Sequence, residues 1–532
     1  MENSLLGRGK GRRTLVERGV AGGASRAWGL VLAAIWFLVA VGCFPLRTAF
    51  VFGADESFEF TKGRLYSDGH TLYGEVWNDQ PPLHTMLLGA IFRWVGPSAF
   101  AGRLLTVVFA AGLVAAFFAL VHRWEGPGAA LGAVGLLFLL PPFLSLSLSC
   151  MLEVPAFALG LMAAWCWVRA GERAGLGWFA VSGMLTGAAL MTKLTSALLL
   201  PALWWQAWAG RGEGWGGGRK PAIRGFVVWL GGCAVVVGGL WALHPAMTME
   251  QLLGVHFARK TQEIGAANSG TRFSWLVFWM LGYAVVPALL GVGLRWARGR
   301  LSSVRLPLGW LVTMTLAHEV NRPYWSFYQV HFAFPLAWLA AVGVKELVGL
   351  VHSSMRMTDR DQGWVRLLGW TAVLAGTLAL LTVHGGWALV NQVSDLRSRS
   401  LVEETHLVST LASYGDRVHW AYADEPLYVF HAGYKVPPEL GVISFKRRHG
   451  AGFTRADLLA WLKRYRPEAL VLRPYEHYDA DWQAFLAGYQ IVDADDRMAL
   501  FVSRRLLEAD TDVSASPAGR EDVAKGAGLR RP

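Results

Sequence analysis

Long, nearly uninterrupted apolar blocks decide what this chain can fold into. Residues 28–40, 129–140, 227–243, 332–344 and 371–383 carry no charged side chain, and none has the polar face of an amphipathic helix. Crossing the hydrocarbon layer takes about 20 mostly apolar residues. Several blocks reach that length once their neutral flanks are included. They are read as transmembrane helices, which makes the chain an α-helical polytopic membrane protein of about 11 spans. Composition agrees: 54% of residues are hydrophobic and 17% charged, with mean hydropathy +0.34. A soluble protein carries about 25% charged residues.

The formal net charge of +12 does not point to nucleic acid. The Lys and Arg residues sit mostly in short loops between apolar blocks, where they set orientation. No basic stripe is interleaved with aromatics, so no nucleic-acid partner is expected. The four cysteines, Cys43, Cys150, Cys166 and Cys233, lie in or beside apolar blocks without metal-ligand spacing. Neither a disulfide framework nor a zinc site is expected. The first block, residues 28–52, exceeds a signal-peptide core of about 7–15 residues and reads as a retained span.

Charge placement then orders the chain. The tail over residues 1–27 holds Arg8, Lys10, Arg12, Arg13, Arg18 and Arg26, which assigns it to the cytoplasm. Residues 28–390 form the membrane domain, with large outer loops at 53–97 and 245–272. Basic runs at 210–224, 295–305 and 345–366 all fall on the cytoplasmic side. The final span leaves the C-terminal part outside, as in a multi-pass protein of the inner (plasma) membrane. Residues 391–507 read as a small extracytoplasmic α/β domain. Strands are expected over 418–422, 427–431, 470–472 and 500–502, and a helix capped by Thr454 through Tyr465. Residues 508–532, rich in Ala, Gly, Asp and Arg, read as disordered.

Ionisable residues near membrane depth are costly and call for an account. Asp55-Glu56 follows the first span directly. The same loop continues through Asn78-Asp79-Gln80-Pro81-Pro82-Leu83-His84, and the next span begins with Gly102-Arg103-Leu104. Glu153 stands where spans three and four meet. Lys193 lies in the turn of the following pair, and Arg322, Tyr324 and His331 flank the turn between spans nine and ten. Any one of these has an ordinary explanation as a solvated loop acid or a snorkelling charge. The topology, however, brings all of them to one outer face. A carboxylate within a turn of the membrane is partly desolvated, which raises its pKa toward that of a general base.

In this order the motifs resemble the C-type membrane glycosyltransferases. More narrowly, they resemble the group of protein O-mannosyltransferases and lipid A aminoarabinose transferases. The resemblance covers about residues 28–350. It implies an enzyme that moves a sugar from a polyprenyl-phosphate donor to an extracytoplasmic lipid, glycan or protein, with inversion. Asp55 then matches the catalytic base on the acceptor hydroxyl, beside Glu56, and Glu153 matches a second-acid position. Lys193, Arg259, Lys260, Arg272 and Arg322 become cations for the leaving phosphate. Asp79, His84, Arg103, Tyr324 and His331 complete the candidate site. Asp55 and Glu153 could together hold a divalent cation such as Mg or Mn. One departure stands out: the family's usual Asp-Lys-Pro-Pro-Leu reads Asp79-Gln80-Pro81-Pro82-Leu83, so a neutral Gln80 replaces a lysine. If that lysine meets the donor phosphate, another cation must do so here, or the donor differs. Two other readings of the same residues are a transporter or flippase of lipid-linked saccharide and a non-catalytic subunit of envelope glycan assembly.

Overall fold

The computed structural model describes residues 27–173, 175–209, 219–268, 273–320, 324–356, 360–474 and 478–515. Among these, six helices are long and apolar enough to cross a membrane: Ala99–Glu125, Glu153–Glu172, Ile223–Leu243, Met280–Ala297, Ser326–Met355 and Gly363–Arg397. Of the shorter apolar helices, Ala27–Cys43 and Leu83–Val95 precede them in sequence, and Pro127–Leu139 and Leu176–Leu190 lie between them.

Several expected spans are shaped differently, each for a local reason. The apolar block at 129–140 lies in a helix that covers only Pro127–Leu139. Pro141 and Pro142 follow; a proline lacks the N–H and clashes with the preceding turn. The chain restarts as the short helix Phe143–Leu146. The pair around Lys193 is the helix Leu176–Leu190, a break, and then a 3-10 stretch Leu194–Leu199 leading into Leu200–Ala209. The last apolar helix passes through a π-helical turn at Leu381–Gly385 and continues to Arg397, beyond the expected domain end at 390.

Helices pack through small residues, as they do in lipid, where apolar burial alone gives little preference for a neighbour. A Cβ at Gly183 would collide with the backbone of Trp229, and one at Gly343 with the backbone of Pro287. Bulky aromatics fill the centre, where Trp310 and Phe334 stack at 5.5 Å. At one end of the bundle, Glu125 pairs with Arg295 at 2.6 Å and with Lys345 at 2.8 Å. Glu346 pairs with Arg295 at 2.8 Å and also with Arg298.

The C-terminal part carries a four-stranded sheet of β1 (Ala421–Ala423), β2 (Ala469–Leu472), β3 (Tyr489–Ala494) and β4 (Ala499–Ser503). Its order is β1-β2-β4-β3, with β1 and β2 parallel and the other pairs antiparallel. The central strands are buried. Thr454 opens the helix Arg455–Tyr465 with a reciprocal capping box to Asp457. Residues 427–431, read as a strand, form instead the helical turn Leu427–His431. Pro426 sets a helix-compatible entry, and four successive buried side chains show no strand alternation. The helix Arg504–Ala515 runs into the stretch read as disordered from 508 onward.

This domain sits on the first loop. The Phe50 N–H donates to the Ser400 carbonyl and the Val402 N–H to the Thr48 carbonyl, each at 2.8 Å. Phe430 stacks on Phe60 at 4.9 Å, and Arg64 donates to the Gly433 carbonyl at 2.7 Å.

Candidate functional site

The turn that leaves the first apolar helix is fixed by one side chain. Arg103 is fully buried near the start of Ala99–Glu125. Its guanidinium donates to the carbonyls of Leu46 at 3.0 Å and Ala49 at 2.8 Å. It also grips both oxygens of Glu56, at 3.0 and 2.9 Å. Glu56 in turn accepts from the N–H groups of Phe52 and Cys150, each at 2.9 Å. The planar fork of Arg suits such two-pronged recognition of a carboxylate. Glu56, expected beside Asp55 as a catalytic acid, is therefore consumed by this clamp and lies outside the cavity described next.

Asp55 is the N-cap of the helix Glu56–Ser67, yet its side chain makes no capping hydrogen bond. It lines a cavity of about 230 Å³ instead. Asp55, Glu59 and Lys62 are spaced four and three apart, so they share one helix face, and all three line that cavity. The facing walls come from Asp79 and Gln80, from Leu152 and Glu153, from Lys193, from Trp325, Phe327 and Tyr328, and from Ser444, Phe445 and Lys446 of the C-terminal domain.

 Lysine–acid pairs ring it. Lys62 pairs with Glu59 at 2.6 Å, Lys446 with Asp79 at 3.2 Å, and Lys193 with Glu153.

The electrostatics separate these acids. Burial, and then the nearby Glu153, push the Asp55 carboxyl up to about 6, against the opposing pull of Lys193 and Lys446. Burial also acts on Asp79, but Lys446 and then His256 outweigh it and hold that carboxyl at about 2. Burial acts on Glu59 in the same sense, and Lys62 with His84 brings it below the ordinary range. One acid of the cavity is thus tuned near neutrality while two are held ionised. Such a separation marks a general base among structural acids.

The remaining expected residues fall in three places. His84 is buried behind the wall, with Nδ1 3.4 Å from Glu59 Oε2, and supports that carboxylate. Tyr324 and His331 are buried behind Tyr328. His331 stacks on Tyr328 at 5.3 Å, and His331 Nδ1 lies 2.9 Å from His318 Nε2. Arg259 and Lys260 are exposed and do not line the cavity. Arg259 is held on the surface by Glu263, one turn along its own helix, at 2.7 Å. Arg272 and Arg322 lie outside the described residues. Sequence reasoning missed Glu59 and Lys62, although their spacing from Asp55 was there to be read. It also missed the aromatic wall Trp325, Phe327 and Tyr328, and Lys446.

The residues present do not fit a divalent cation at Asp55 and Glu153. Lys193 already occupies Glu153, and its ammonium rests near the faces of Phe327 and Tyr328, at 5.6 and 5.7 Å. Among the described residues, no group of three or more His, Cys, Asp or Glu converges in a way that could hold a metal ion.

Residues 79–238 match the profile of the family described as dolichyl-phosphate-mannose-protein mannosyltransferase. The fold is shared with the crystal structure of ArnT from Cupriavidus metallidurans bound to undecaprenyl phosphate. That similarity has a TM-score of 0.61 at 15% identity, over 90% of this chain and 98% of that one. The apo Archaeoglobus fulgidus oligosaccharyltransferase gives a TM-score of 0.53 at 10% identity, over 84% of this chain and 69% of that one. Identities this low carry the fold alone. Among curated proteins, none matches the chain.

Proposed function

Taking this chain as a membrane glycosyltransferase of the C type, we propose that it moves a sugar from a polyprenyl-phosphate carrier to an acceptor hydroxyl, with Asp55 as general base. The observation that carries the reading is Asp55 itself. It is a carboxylate raised to about 6, free of helix capping, and set in a cavity ringed by lysines. The undecaprenyl phosphate named with the ArnT structure supports a donor of the same chemistry here.

The chemistry balances without a cofactor. The acceptor oxygen attacks the anomeric carbon, and its proton passes to the Asp55 carboxylate. The bond from that carbon to the phosphate oxygen breaks, and the electron pair stays on the lipid phosphate. A phosphate departs without needing a proton, so one positioned base is enough, and it contributes about 10²–10⁴ in rate. Attack opposite the leaving group inverts the anomeric centre. Lysines around the cavity stabilise the charge that develops on the phosphate. Lys193 suits this role, because Glu153 keeps it charged despite burial. The Arg103–Glu56 clamp holds the turn from which Asp55 projects. In this reading the cavity faces the extracytoplasmic side, and the C-terminal domain covers it there.

The test is transfer by the purified full chain, given undecaprenyl-phosphate-linked sugars and a panel of lipid, glycan and protein acceptors. The expected result is a glycosylated acceptor whose anomeric configuration, read by NMR, is opposite to that of the donor. Retention of configuration would overturn the single-displacement mechanism. Movement of the lipid across vesicles without any transfer would favour a flippase.

A further inference from the structure

Gln80 leaves the cavity without a cation on the first-loop segment that precedes Pro81. We propose that Lys446 of the C-terminal domain fills that role and contacts the phosphate of the lipid-linked donor. This inference rests on the donor reading above.

Lys446 reaches the cavity from a remote part of the chain. It lies in the short helix Phe445–His449 and lines the same cavity as Gln80 and Asp55. Its position is enforced from behind. The neighbouring Arg447 is buried and donates to the carbonyls of Glu439 at 2.5 Å and Val442 at 2.7 Å. That guanidinium also packs over Phe453 at 4.1 Å and lies 5.9 Å from the ring of Trp77, two residues before Asp79. Phe445 meets Trp325 of the membrane domain edge-on at 5.9 Å. The segment is therefore braced on the first loop and on the cavity's aromatic wall.

Of the three lysines on the cavity, Lys446 is the one most readily redirected. Lys62 is 3% exposed and Lys193 9%, whereas Lys446 is 16% exposed. Its ion pair, at 3.2 Å, is longer than the 2.6 Å pair of Lys62, which Asn78 also holds at 3.2 Å. Separating a buried pair is costly unless a new partner replaces the old. A phosphate supplies that partner through a charge-assisted hydrogen bond. Asp79 keeps a neighbour when Lys446 turns away, because His256 Nε2 lies 3.7 Å from its carboxylate. Gln80 and Lys446 thus line one cavity, and Lys446 brings its charge to the residue next to Gln80, Asp79.

The experiment measures binding of undecaprenyl phosphate to the full chain in detergent, for wild type, Lys446→Gln, and Lys446→Gln with Gln80→Lys. Glutamine keeps a hydrogen bond within reach of Asp79, so the domain stays docked; thermal unfolding checks this. Loss of a charged hydrogen bond weakens binding by about tenfold or more. The added lysine at position 80 should restore most of that loss, which a merely structural role for Lys446 does not predict. Binding by Lys446→Gln within about twofold of wild type overturns the inference, and so does a double variant that recovers nothing. If folded wild type binds no undecaprenyl phosphate, the donor reading fails and this inference fails with it. Inorganic phosphate alone separates the two sources of the group: Lys446-dependent binding as tight as that of the lipid would overturn the assignment to a lipid donor.

Discussion

The helix Ala99–Glu125 carries a charged cluster at each end, and the two clusters are built on opposite plans. Arg103 near its start and Glu125 at its end are about 33 Å apart at about 1.5 Å per residue, close to the roughly 30 Å of the hydrocarbon layer. At the Glu125 end, two acids face three cations, and none of the five lines the cavity. At the Arg103 end, Glu56, Glu59, Asp79 and Glu153 each have a cation. Among the described residues, Asp55 belongs to none of these ion pairs and faces the cavity instead. Matched charges hold helices together; a carboxylate left partly desolvated beside a cavity is available for proton transfer.

Removing one member of a buried pair tests the structural half of that contrast. Arg103→Met strands Glu56 and the backbone carbonyls of Leu46, Ala49 and Phe50, and should lower stability by about 3–5 kcal/mol. Transfer per folded molecule should fall too, because the Asp55 turn loosens. Arg295→Met at the other end should lower stability by a similar amount and leave transfer per folded molecule unchanged. Unfolding in detergent, paired with active-site-normalised rates, reads both. Slowed transfer in folded Arg295→Met would erase the distinction between the two ends.

The pH dependence sharpens it further. Asp55 must be ionised to accept a proton, and its carboxyl sits at about 6. The rate should therefore fall on the acid side of about pH 6 and level off above it. The stability sign is opposite. A carboxyl raised above its unfolded value favours folding at low pH, and that contribution is lost as pH rises through about 6. Asp55→Asn should accordingly be at least as heat-stable as wild type at neutral pH. Glu153→Gln removes a negative neighbour that raises Asp55, so the acid limb of the rate profile should move to lower pH. The smallest effect belongs to the surface. Replacing Arg259 and Lys260 by Ala should leave donor affinity nearly unchanged, since Arg259 forms only an exposed pair with Glu263.

What the sequence made legible follows the range of the interactions involved. Apolar blocks are local, so most membrane helices could be read directly, except where Pro141-Pro142 interrupts one. Thr454 and Asp457 cap their helix over three residues, and that start was legible too. The acids Asp55 and Glu153 were found from their places at span ends. Glu56 looked like a second catalytic acid because its partner, Arg103, lies 47 residues away. Tyr328 went unnoticed beside Tyr324, because only packing decides which ring faces the cavity. Lys446 could not be found at all: docking of the C-terminal domain on the first loop brings it to Asp79.

The central claim is that Asp55 is the base, and single-turnover transfer by Asp55→Asn tests it most directly. Donor occupancy should be matched to wild type by measuring bound undecaprenyl-phosphate sugar in the same samples. Asp55→Asn should show intact donor binding, unchanged or higher heat stability, and a transfer step slowed by about 10²–10⁴. A folded, donor-loaded Asp55→Asn protein that transfers sugar at the wild-type rate would contradict it.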